Sequence, residues 1–64
     1  MKPTQKAIDK AYKSLLKVEI DKQSDADARR ICRDARMTLE GLSPASPYAA
    51  RLLADAEATI AAWA

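Results

Sequence analysis

The sequence predicts an all-α fold, a small three-helix bundle. Three observations carry that prediction. Apolar residues recur at three- and four-residue spacings in three separate stretches, and nowhere do they alternate as in a strand. Alanine, leucine, lysine, arginine and glutamate, all good helix formers, dominate, while β-branched and aromatic residues are sparse. The residues that interrupt helices fall between the stretches or at an end: Gly41 is the only glycine, Pro44 and Pro47 follow it, and Pro3 opens the chain. The helices are expected at about 3–22, 25–40 and 46–63. Short connections make neighbours antiparallel. The result is either an up-down-up bundle or a hairpin whose third helix is exchanged with a second copy.

The first helix tolerates Pro3 in its opening turn, where a missing N–H costs nothing. At about 100° per residue, Ala7, Ile8, Ala11, Leu15 and Val18 form one apolar stripe. A second stripe, Tyr12, Leu16 and Ile20, lies beside it. Together they cover more of the circumference than the roughly 100° that a helix buries in its own bundle. The surplus stripe is therefore expected either to wedge between two neighbours or to meet another chain. Glu19 projects from between the stripes and needs a cation, which the arginine-rich second helix can supply. Lys6, Lys10, Lys13 and Lys17 form a row on the other side, partly offset by an expected Asp9–Lys13 pair.

Ser24 is the expected N-cap of the second helix, with Asp25 and Asp27 in its first turn. Ala28, Ile31, Cys32, Ala35, Leu39 and Leu42 make its inner face. Its wet face offers the pairs Asp25–Arg29, Arg30–Asp34 and Arg36–Glu40. Met37 lies among these polar residues, where an apolar side chain has no bundle role. Gly41 ends the helix by taking a left-handed conformation. Ser46–Pro47 then reads as N-cap and first residue of the third helix, and Ser43–Pro44 repeats the signal one turn earlier. Tyr48, Ala49, Leu52, Leu53, Ala56, Ile60 and Trp63 share one face of that helix. Trp63 is expected to clamp the C-terminal turn.

Size and composition narrow the function by exclusion. The chain has 64 residues, enough for one small domain. Its 48% hydrophobic content is inflated by 14 alanines, each adding only one methyl group to a core. One cysteine and no histidine leave neither a disulfide nor a zinc cluster as a staple. Oligomerisation is the staple that remains, and a homodimer is expected. No apolar leader or membrane-length segment is present, so the expected setting is the cytoplasm, with no membrane partner.

Enzymatic chemistry is poorly supplied. The commonest general base is missing, and a single glycine cannot build a phosphate-cradling loop. No cofactor is expected. Cys32 beside Arg29, Arg33 and Arg36 is a conceivable activated thiolate. Its place on the inner face instead suits a small buried apolar residue.

Two functional classes follow. The first is a non-enzymatic helical interaction module that binds another protein as an adaptor, inhibitor or regulator, using Tyr12, Leu16 and Ile20, with Met37 contributing if the first two helices share a groove. The second is a small nucleic-acid-binding regulator. It would use Lys6, Lys10, Lys13 and Lys17 with Arg29, Arg30, Arg33 and Arg36. Against the second stand the acidic partners within one turn of the arginines, the formal net charge of only +2, and the lack of aromatics among the lysines for base stacking.

Overall fold

In the computed structural model, which describes residues 3–64, the chain folds as three helices: α1 (Gln5–Asp21), α2 (Ala26–Leu39) and α3 (Ala49–Trp63). All three pairs of helices are in contact, so this is a small all-α three-helix bundle. Val18 near the end of α1 and Trp63 at the end of α3 line one depression, which fixes the up-down-up order.

The helix ends differ from the sequence expectation in ways that capping chemistry explains. Pro3 lies before α1; Thr4 is the N-cap, in extended conformation, and its hydroxyl accepts from the Ala7 N–H at 3.1 Å. At α2 the N-cap is Asp25, not Ser24. One Asp25 oxygen accepts from the N–H groups of both Asp27 and Ala28, each at 3.1 Å. A carboxylate serves two orphan donors and meets the positive end of the helix dipole, which a serine hydroxyl does less well. Ser43 and Ser46 build local turns, accepting from the N–H groups of Ala45 and Tyr48, and α3 starts only at Ala49 with no side-chain cap. Gly41 has φ of +74°, and the Leu42 N–H returns to the Leu39 carbonyl at 3.1 Å. That conformation favours glycine, as the sequence predicts.

The core is assembled from all three helices. Ile8, Leu15 and Cys32 are its largest fully buried side chains, with Leu39 and Leu53 beside them. Ala28 and Ala49 are also fully buried, which lets helix axes approach closely. Leu42, Leu52, Ile60 and Trp63 pack on the core from its edges. Two expected core residues lie elsewhere. Ile31 is 37% exposed, because it sits about 100° behind Cys32, which occupies the centre of the buried face. Tyr48 is 65% exposed, because the late start of α3 leaves it in the preceding turn.

Candidate interaction surface

The most developed polar constellation joins α1 to α2. Arg36 Nε donates to Glu19 Oε2 at 2.5 Å, and Arg36 Nη2 donates to Oε1 at 3.3 Å. Arg36 Nη1 donates to the Tyr12 hydroxyl at 3.1 Å, and the guanidinium carbon stands 5.5 Å from the Tyr12 ring centroid. The two charged side chains are only 19% and 15% exposed. Glu19 and the Tyr12 hydroxyl together raise the Arg36 pKa above its ordinary value, so the cation is permanent. Among the described residues no buried side-chain nitrogen or oxygen lacks a partner. Each nitrogen of the Arg36 guanidinium has an acceptor on α1, so this constellation is a cross-link between the two helices.

The fork-shaped pairing accounts for the predicted need of Glu19. It also changes the expected ion pairs. Arg36 spans 17 residues to Glu19 rather than one turn to Glu40. Arg30 pairs with Asp27 at 3.6 Å, both exposed, in place of Asp34. Asp25 is committed to its cap, and Asp9 accepts from Gln5 Nε2 at 2.9 Å instead of pairing with Lys13. A bidentate contact shielded from water outcompetes solvated i, i+4 pairs.

The second stripe of α1 divides at this cross-link. Tyr12 is half-buried, packed against the core and engaged by Arg36. Leu16 is 39% exposed and Ile20 60% exposed, one turn apart on the same ridge. Met37 is 53% exposed, but it lies about 160° around α2 from the buried Leu39. It thus sits on the back of α2, apart from the α1 ridge.

The basic residues fall into two groups. Lys6, Lys10, Lys13 and Lys17 are exposed and line one open surface with Asp9 and Ser14. Arg29, Arg30 and Arg33 are exposed on α2, whereas Arg36 is held by Glu19. Cys32 is fully buried; burial chiefly, and then the negative charge of Glu19, push its thiol pKa up, the opposite of an activated thiolate. Among the described residues no group of His, Cys, Asp or Glu could hold a metal ion. The Cα framework measures 35 × 19 × 16 Å. Its cross-section is about two helix diameters, so its concavities are surface features, most of them grooves between helices.

One of those grooves was not legible from apolar periodicity. It follows the α1–α3 seam and is bordered by Ala7, Ala50 and Ala54. The signal for it is the placement of alanines at i, i+4 where a bulky residue would fill the seam. No protein-family model, curated protein or solved structure matches this chain.

Proposed function

We propose that this chain is a non-enzymatic interaction module that acts by binding another protein, as an adaptor, inhibitor or regulator, and that it self-associates as a homodimer. One observation carries the reading. Among the exposed large hydrophobics Leu16, Ile20, Ile31, Met37 and Tyr48, only Leu16 and Ile20 form an i, i+4 ridge on one helix. The Glu19–Arg36–Tyr12 cross-link stands beside that ridge and fixes α1 against α2, so the apolar pair is presented on a rigid support. A small core adds the thermodynamic motive, since self-association buries surface that 64 residues cannot bury alone. Tyr12 borders the contact, and Met37 marks a separate apolar point on the back of α2. A cytoplasmic setting suits a chain whose one thiol is buried and has no disulfide partner; no helix among the described residues is long and apolar enough to cross a membrane.

Leu16→Asp tests the reading. It should convert a sedimenting dimer to monomer and abolish capture of the cellular partner, with far-UV helicity unchanged. Global unfolding of the variant would place Leu16 in the core and sink the reading.

A second reading is favoured by the exposed lysine row, which among the described residues forms no salt bridge. Lys6, Lys10, Lys13 and Lys17, with Arg29, Arg30 and Arg33 on α2, could hold nucleic-acid phosphates. Arg36 is already committed to Glu19, which weakens the arginine half of that surface. Absence of a mobility shift with duplex or single-stranded nucleic acid at low salt would remove it.

A further inference from the structure

The seam between α1 and α3 carries three depressions that run into one another. The first, at the start of both helices, shares Ala7 and Glu57 with the second. The second shares Ser14 and Ile60 with the third, which reaches Trp63 and Ala64 and has a volume of about 500 Å³. They form one continuous groove along the length of the bundle. Its surface is mostly apolar: half-buried Ala7, Ile60 and Trp63 line it, and exposed Ala50 and Ala54 form the α3 bank. Small residues at such a seam let another helix axis approach to about 8–10 Å.

The α1 bank is cationic. Lys10, Lys17 and Lys22 line the groove with Asp21, and Lys6 and Lys13 stand in the same row beside Asp9, so the bank keeps an excess of positive charge. Glu57 is the one acidic residue of α3 that lines it. Two copies meeting groove to groove would bring two such lysine rows together, with only Glu57 and Asp21 from each copy to offset them. Charge complementarity therefore disfavours self-association here and selects an acidic occupant.

We propose that the α1–α3 groove docks an acidic amphipathic helix of another protein, laid lengthwise as a fourth helix of the bundle. Its apolar face covers Ile60, Trp63 and the alanines, and its carboxylates meet Lys10 and Lys17. This rests on the reading of the chain as a protein-interaction module but not on the Leu16–Ile20 ridge. Ser14 and Leu16 are about 160° apart on α1, so the two surfaces are separate.

Trp63 is the only tryptophan and lies in the groove, so its emission reports occupancy directly. The probe is a synthetic helical peptide of about 18 residues, leucine on one face and glutamate on the other, without aromatics. Titration into the full chain should give a saturable blue shift. Affinity should fall about tenfold between ~0.05 and ~0.5 M salt. The same peptide with lysine for glutamate should not bind. Ala54→Arg, at an exposed position, and the pair Lys10→Glu with Lys17→Glu should each weaken binding at least about tenfold with unchanged circular dichroism. Leu16→Asp should bind as wild type.

Equal binding of the basic peptide overturns the proposal, as does binding that ignores Ala54→Arg. Duplex DNA that displaces the peptide and binds Ala54→Arg as it binds wild type assigns the lysines to nucleic acid instead. A wild-type dimer broken by Ala54→Arg assigns the groove to a second copy. If wild type ignores the acidic peptide while Leu16→Asp still breaks self-association, the groove proposal falls and the interaction-module reading stands.

Discussion

Glu19 has no place on the apolar arc of α1 unless a cation reaches it, and Arg36 does so from α2 with two nitrogens while a third bonds Tyr12. Removing one partner of a shielded, hydrogen-bonded pair costs more than the pair's net worth, because the other charge stays behind. Glu19→Ala should therefore destabilise the fold by about 1–3 kcal/mol, measured by urea unfolding. Arg36→Met should relieve much of that loss in the double variant; strictly additive effects would show the two groups to be uncoupled. Cys32 yields a pH prediction. Its pKa is raised in the folded state, so the native chain binds more protons than the unfolded chain once pH passes the ordinary thiol value of about 8.5. The stability from the neutral buried thiol is complete below that value and is lost as pH rises through the folded pKa. Cys32→Ala should flatten this part of the alkaline decline, as followed by thermal melts against pH. The inward place of Cys32 and the cation requirement of Glu19 were both readable from helical phase. That the cation is Arg36 was not, because Glu40 lies one turn away on its own helix and only the packing of α1 on α2 decides between them.

At the scale of the element, side-chain caps fix where α1 and α2 begin. Asp25 satisfies two N–H groups of α2 with one oxygen, and Thr4 satisfies one of α1. Asp25→Ala should cost about 1 kcal/mol in chemical denaturation, while Ser24→Ala should be near neutral. The reverse order would restore Ser24 as the cap. Serine and aspartate side by side are both good N-caps, so the sequence places the start of α2 within one residue, and the carboxylate's extra reach and charge decide for Asp25 in the folded backbone. The start of α3 is displaced further. Ser43 and Ser46 spend their hydroxyls on local turns, and Tyr48 consequently leaves the core.

For the whole molecule the limiting resource is buried volume. Ile8, Leu15 and Cys32 are the largest side chains wholly removed from solvent, and a core this small supplies only about 3–5 kcal/mol of net stability. Leu15→Ala, at about 2–5 kcal/mol, should therefore take most of the isolated chain out of its folded state. Helicity and Trp63 fluorescence should be lost together, since α1, α2 and α3 each depend on the other two. Far-UV helicity that survives the loss of the Trp63 signal would show helices standing on their own. The same scarcity gives the surface its interest, because Leu16 and Ile20 stay outside the core and the alanine-lined α1–α3 seam stays unfilled.

By itself, the sequence determined three amphipathic helices, the stop at Gly41, most of the buried face of each helix and the excess of apolar surface on α1. These follow from periodicity and local conformational preference, which act within a turn or two. Tertiary structure decided which carboxylate Arg36 binds, how the stripe of Tyr12, Leu16 and Ile20 divides between support and exposed ridge, and where alanines leave a groove open. Those outcomes depend on the distance between helices, which is set by the side chains of two elements at once and is encoded by neither alone.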